Sequence, residues 1–523
     1  KWAWYARMIR TGVMQYRDRN FVQFSRCIGT PERFILFRHL VPSIAADLAV
    51  LSSLDVGWAI INISTLSFLG LGVQAPTPEW GAMLSEAKNV LTSNPAQMLV
   101  PGIAIVILVS AFNLMGDAIR DVLDKYRYLP KQDRAFITRL SQGTLERMIE
   151  LDAIINQFSK TKVKKMKPVI AAILRSGVYQ LKYMDSVPDS AACNEAVKLT
   201  VKRGFSGLKG FVNGVMRNIA RNLDQIKLPD ANKEPEKYLS VRYSVPEWIV
   251  ARFIRQYGTE TCEKSLEAFL QPHPTSVQVD TDRISMEEII ASLQEQGVTV
   301  TQNPEIKRAL FLSGYEALDE IEEFENGLLY VQDTASMLAV EMAAPKPGDT
   351  VIDVCAAPGG KSVYAARMIG ETGHVESRDL TEYKVAMIED NIERCQLSNM
   401  TAKVWDATEF DASAEEKADV VIADLPCSGL GVIGTKTDIK YNASEEKNQE
   451  LAALQQEILQ VVCRYVKPDG TLLYSTCTMT KEENEENVHK FLETHTEFEL
   501  EQMRQCFPYE GCDGFFMAKM HRK

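Results

Sequence analysis

The sequence predicts a multidomain chain: a membrane-type α-helical fragment, then an all-α bundle, then a doubly wound α/β domain at the C-terminus. Three observations carry that expectation. From residue 328 onward short β-rich runs alternate with helical patterns, as in "TVIDVCAAPGGKSVYAARMIG", "ADVVIADLPCSGLG" and "EILQVVCRYVKPDGTLLYSTC". Between roughly residues 130 and 222 apolar residues recur at spacings of three and four, as in packed amphipathic helices. Before residue 126 two long charge-free runs occur, and nothing after it is like them. At 523 residues the chain is too long for one core. The limits implied are 1–124, 126–228, 229–327 and 328–523.

Composition narrows the function classes. A hydrophobic content of 46% with 24% charged residues is globular, not disordered. The ten cysteines are scattered without any CxxC, and only six histidines are present, so neither a disulfide framework nor a metal site is expected. That usage fits a reducing, cytoplasmic setting. The opening "KWAWYARMIR" lacks the small-residue cleavage site of a signal peptide. Residues 127–240 hold 21 Lys and Arg against 11 Asp and Glu, whereas 241–523 hold 26 against 50. A basic module beside an acidic one predicts a polyanionic partner for the former.

The charge-free runs are residues 56–78 and 89–116. Their apolar centres approach the ~20 residues that cross a bilayer, so membrane contact is expected there. "YARMIRTGVMQYRDRNFVQFSRCIGTPERFILFRHLVPSI" and "FLGLGVQAPTPEWGAML" resemble the C-terminal part of dipeptide/oligopeptide/nickel ABC permeases over residues 1–124. The resemblance implies that the loop around Gly29 docks on an ABC ATPase.

The basic segment, with "TKVKKMKP" and "KRGFSGLKGFVNGVMRN", mixes Lys and Arg with Gly and Phe in a way that suits contact with a phosphate backbone. It resembles a NusB-like RNA-binding domain whose first helix is replaced by permease-like sequence. Residues 228–245 read as a polar linker, and 246–327 as a small α/β extension.

The loop "CAAPGGKS" admits two readings. Gly359, Gly360, Lys361 and Ser362 fit the end of a phosphate loop, and "VVIAD" (420–424) could hold Mg²⁺, which makes a P-loop ATPase the rival. Against it, Cys355 stands where the leading Gly belongs, and Pro358 removes one N–H from the loop. Asp379 lies after a second strand, where an acid binds ribose hydroxyls. S-adenosylmethionine (SAM), with ribose, adenine and a sulfonium but no phosphate, suits these residues better. Asp379 would take the ribose, Asp406 the adenine side, and Asp424 the point where methyl donor and target meet.

"DVCAAPGGK", "DLPCSGLG", "STCTMTKEENEENV" and "GCDGFFMAKM" resemble the RsmB/Sun family of 16S rRNA cytosine-C5 methyltransferases over about 126–523. The resemblance implies a Rossmann-like catalytic domain and a 16S rRNA substrate. It also implies SAM contacts from Cys355, Ala356, Ala357, Pro358, Gly359, Gly360, Lys361, Asp379, Asp406 and Asp424. Cys477 would be the nucleophile, Cys427 would assist product release, and Asp424 would contact the base. A transport subunit with an appended methyltransferase is the alternative from another class. Locally, Thr480 and Glu483 read as a capping box that starts a helix just after Cys477 and lowers its thiol pKa, opposed by Glu482, Glu483, Glu485 and Glu486. Cys193, Cys262, Cys395 and Cys463 read as structural thiols in helical patterns, and so do Cys506 and Cys512, with pairing or metal binding as the alternative for these two.

Overall fold

A computed structural model of the chain describes residues 5–7, 9, 10, 13, 22, 32–73, 77–127, 131–315 and 317–523, some of those before 135 and Asp319 by backbone alone. The chain divides into two compact units, 1–141 and 142–523.

In the first unit the long helices Val41–Phe68 and Ala96–Arg127 lie against each other, and the short helix Trp80–Ala87 packs on both. Glu79 starts the short helix by accepting the Ala82 N–H at 2.9 Å, and it also accepts the Ser64 hydroxyl at 3.0 Å. Only glycine fits at position 81, because a Cβ there would meet the Ser64 carbonyl oxygen at 2.0 Å. Among the described residues no helix is long and apolar enough to cross a membrane, which corrects the membrane contact expected at 56–78 and 89–116. The first run leaves its helix at Phe68 and turns through Gly70 at φ +81°, so among its described residues only 56–68 are helical. The second begins in the 3₁₀ turn Lys88–Val90 and an irregular link, and becomes helical at Ala96. Gly29, where the ABC ATPase contact was expected, lies outside the described residues, and that contact stands without structural support.

The second unit begins with the helices Met148–Phe158, Pro168–Tyr183, Asp189–Lys202 and Lys209–Arg221. Their apolar faces bury Leu151, Ile155, Leu174, Val178, Met216 and Ile219. Arg175 and Asp152 brace two of them through paired bonds of 2.6 and 2.7 Å. The expected linker holds a helix, Pro235–Tyr243, because Leu239 and Tyr243 are apolar enough to join a core with Phe253, Leu430 and Met479. A four-stranded antiparallel sheet follows, built from β1 (Thr275–Val279), β2 (Thr299–Gln302), β3 (Ala309–Ser313) and β4 (Leu329–Val331) in the order β2-β3-β1-β4.

The large sheet has seven strands. They are β5 (Thr350–Asp353), β6 (His374–Asp379), β7 (Met400–Val404), β8 (Ala418–Asp424), β9 (Val466–Thr476), β10 (Phe498–Cys506) and β11 (Phe515–Arg522). Their order is β10-β11-β9-β8-β5-β6-β7. Strands β5 to β9 pair in parallel, and β10 and β11 add an antiparallel edge. The central strands are near-continuous apolar runs because helices cover both faces. The chain order reverses between β5 and β8, so a crevice opens at their carboxyl ends.

Candidate active site

Parallel pairing sets the carboxyl ends of the central strands at one edge. Asp353 ends β5, Asp379 ends β6, Asp424 ends β8 opposite Ser475 of β9, and Cys477 follows β9 directly. The loop after β5 runs through Cys355, Ala356, Ala357 and Pro358 to Gly359, whose φ of +108° turns the chain into the helix Gly360–Ile369. Three of its N–H groups are already committed. That of Ala356 donates to Arg378 O at 2.8 Å, that of Ala357 to Asp379 Oδ2 at 3.0 Å, and that of Gly359 to Ala356 O at 2.7 Å. Those three amides are not available to a phosphate, which counts against the P-loop ATPase reading.

Asp379 is buried and accepts Leu380 N–H at 2.8 Å and Lys384 Nζ at 2.9 Å besides the Ala357 amide. Asp406, beyond β7, accepts the amide and hydroxyl of Thr408 on Oδ1, and these bonds hold its carboxyl below the usual range. Asp424 accepts Ser475 Oγ on Oδ1 at 2.9 Å and Lys361 Nζ on Oδ2 at 2.6 Å. Lys361 also lies over the Phe515 ring, 5.1 Å from its centroid. Burial pulls the Lys361 ammonium down, but Asp424, Asp353 and Cys477 together outweigh it and hold it above its ordinary value. Burial pushes the Cys355 thiol up, as suits a wall residue rather than a nucleophile.

The two thiols come together. Cys427 Sγ and Cys477 Sγ are 3.1 Å apart, and both are free and half-buried. The hydrogen bond to Cys477, with burial, pushes the Cys427 thiol well above its usual range, so Cys427 keeps its proton. The segment after Cys477 departs from the expected capping box. The helix starts at Glu485, eight positions on, and a helix dipole fades within a turn. Thr480 Oγ1 donates to Glu483 Oε1 at 2.7 Å instead of accepting the Glu483 amide. Nor does the acidic run crowd the thiol as one charged face. Glu483 is fully buried and accepts Ser428 N–H at 2.8 Å, while Glu482 accepts Gln256 Nε2 at 2.8 Å.

A family model described as 16S rRNA methyltransferase RsmB/F matches residues 340–521, a NusB family model 104–221, and a ferredoxin-like domain model of RsmF/B-like methyltransferases 245–318. A model of binding-protein-dependent transport system inner membrane components matches 1–127 and overlaps the NusB match over 104–127. The probable ribosomal RNA small subunit methyltransferase B of Bacillus subtilis is 36% identical over 419 residues, covering 76% of this chain and 93% of the relative. The chain belongs to the 16S rRNA methyltransferase RsmB/F family. An RsmB/F relative from Synechocystis, also named as a probable small subunit methyltransferase B, is 30% identical and is 94% covered. Among solved structures, that of PH0851 superposes with a TM-score of 0.63 at 25% identity, covering 84% of this chain and 97% of that one.

This RsmB/F chain is a SAM-dependent methyltransferase. The crevice fits such a cation. Three carboxylates converge on it, and Asp353 Oδ1 is buried there with no hydrogen-bond partner, its other oxygen held by Ser362 Oγ at 2.7 Å. Burial raises the Asp353 carboxyl to about 7. Sequence reasoning assigned no role to Asp353, Ser475 or Phe515, and it gave Ser362 and Glu483 other roles, in a phosphate loop and a capping box. An acid ending an otherwise apolar strand was the available signal for Asp353. The others are placed by contacts between distant segments.

Proposed function

We propose that this chain methylates C5 of a cytosine in 16S rRNA through a covalent bond between Cys477 and C6 of the base. The observation that carries the reading is the pair of free thiols 3.1 Å apart beside the Lys361–Asp424 ion pair, at the crevice where the strand order reverses. Cytosine C5 is a poor nucleophile. Addition of the Cys477 sulfur to C6 turns C5 into an enamine carbon and replaces one hard step by two easier ones. Bound SAM supplies the methyl group from its sulfonium.

Asp424, its charge balanced by Lys361, would meet the N3/N4 edge of the base and stabilise the protonated adduct. The C5 proton must then leave to a base so that the C6–S bond can break and return its electrons to Cys477. Cys427, next to that sulfur, assists this release. The residues that would hold SAM are the loop 355–361, with Asp379 toward the ribose, Asp406 toward the adenine, and Asp424 at the methyl end. The target base must leave its stack to enter the crevice.

In this reading 126–228 is the NusB-like RNA-binding module, 229–327 the linker and small α/β extension, 328–523 the catalytic domain, and 1–124 a permease-like segment. The excess of Lys and Arg in 127–240 supports rRNA backbone contact by the first of these. The work would take place in the cytoplasm. The test is transfer of tritium from labelled SAM to 16S rRNA by wild type and by Cys477→Ala. Loss of transfer in the variant with SAM binding retained is expected, and undiminished turnover would overturn the assignment.

A further inference from the structure

The connection between β10 and β11 brings two more cysteines together, outside the crevice. Cys506 ends β10, and the chain then makes a 3₁₀ turn at Pro508–Glu510. Gly511, at φ +83°, reverses the path, with Glu510 N–H on Phe507 O at 2.9 Å and Gly511 N–H on Pro508 O at 3.2 Å. As a result Cys506 Sγ, a carboxylate oxygen of Glu510 and Cys512 Sγ all lie within 4.8 Å of one another. Both thiols are free, Cys506 is fully buried, and Glu510 is on the solvent side.

We propose that Cys506, Glu510 and Cys512 form a binding site for a thiophilic divalent cation of the zinc class. Sulfur ligands at about 2.3 Å around a tetrahedral ion stand roughly 3.8 Å apart, within the span available here. Two soft sulfurs and one carboxylate suit Zn²⁺ rather than Mg²⁺ or Ca²⁺, and the fourth position is open to water beside Glu510. Arg504 completes the arrangement. Its guanidinium bonds Glu510 at 3.2 Å and Glu305 at 3.1 Å, so Glu510 can turn to the cation while Arg504 keeps Glu305. Two thiolates and a carboxylate around a dication leave one negative charge, which faces Arg504 and water, and the two thiol protons pass to solvent on binding. The ion would fasten the connection whose Gly514 N–H bonds Gly431 O at 2.9 Å, next to the Phe515 ring under Lys361.

The test uses the full chain, reduced, stripped with a chelator and titrated with Co²⁺ and then Zn²⁺. We expect a single equivalent of Co²⁺ with thiolate charge-transfer absorption, displaced by Zn²⁺. Cys512→Ser should abolish that absorption, Glu510→Gln should weaken binding by roughly tenfold, and Cys427→Ser should leave it intact. Zinc should raise the melting temperature of wild type but not of Cys512→Ser, a readout independent of activity. Absence of the absorption, equal binding by Cys512→Ser, or loss of the signal in Cys427→Ser would each overturn the site. So would a mass lower by two hydrogens from a Cys506–Cys512 disulfide in the reduced, stripped protein.

Discussion

The buried carboxylate of Glu483 accepts the backbone N–H of Ser428 at 2.8 Å and so ties the turn after Cys477 to the loop that holds Cys427. Gln455 Nε2 donates to the same oxygen at 3.3 Å, and Thr480 Oγ1 donates to the other. The acid is therefore a strut between the two thiol loops. Glu483→Gln can keep its oxygen on Ser428 and offer its amide to Thr480, whose hydroxyl can reverse to accept, so a loss below about 1 kcal/mol is expected. Glu483→Ala strands the Ser428 donor and should cost about 1–3 kcal/mol in urea unfolding. It should also lower kcat by roughly 10²-fold, since about 1 Å of misplacement is enough for that.

Cys427 holds its proton next to Cys477, and the proposed cycle uses it after methyl transfer. Cys427→Ala should therefore still attack the base but fail to let go. Incubation with SAM and 16S rRNA should produce a protein–RNA species that survives denaturing electrophoresis, with turnover down by about 10²-fold or more. The double variant with Cys477→Ala should give no such species. Free turnover of Cys427→Ala without adduct would remove it from the release step.

Much of the catalytic fold was legible because central parallel strands are apolar runs that end abruptly in a polar residue, as β8 ends in Asp424 and β9 runs into Cys477. The start of the next helix was not. Thr480 and Glu483 have capping-box spacing, yet their side chains bond each other while Tyr474 and Ser428 take the remaining groups of Glu483. Those partners are up to 55 positions away, and no local pattern reveals them. The charge-free run 56–78 misled for the converse reason. Counting charges does not register the turn after Phe68. For Cys506 and Cys512 the sequence offered pairing or metal binding only as an alternative, because their meeting, and that of Glu510, depends on the turn at Gly511.

Asp353 provides a pH test of the crevice. Its native value of about 7 lies above the ~3.9 of an unfolded chain, so between those values the native state binds the extra proton. Stability should then fall as pH rises from about 4 to 7, by about 1.4 kcal/mol for each pH unit crossed, a few kcal/mol at most. Asp353→Asn imitates the protonated acid. Measured by urea unfolding without SAM, it should match wild type below about pH 4, exceed it increasingly up to about pH 7, and still exceed it beyond. Parallel profiles for the two proteins would show that Asp353 ionises freely in the native state.

Lys440 gives the opposite sign. It is buried and donates Nζ to Glu146 O at 2.9 Å, beside Tyr441 OH on Leu145 O at 2.8 Å. Burial lowers its ammonium to about 7 against the pull of Glu146, while an unfolded lysine titrates near ~10.4. Between those values the unfolded chain binds more protons, so stability should rise as pH increases from about 7 to 10. Below about 7 both states are protonated, and the native chain bears the full cost of a buried charge. Lys440→Met keeps the side-chain length and removes that charge, at the loss of one hydrogen bond worth about 1 kcal/mol. The variant should be more stable than wild type at pH 6.5 and less stable at pH 9.5, so the two urea-midpoint curves should cross. Burial raises the Glu146 carboxyl above its ordinary value, and wild type and variant share that group. Curves that run parallel would mean that Lys440 reaches water in the native state and that its contact with Glu146 O adds nothing to the packing of that helix end.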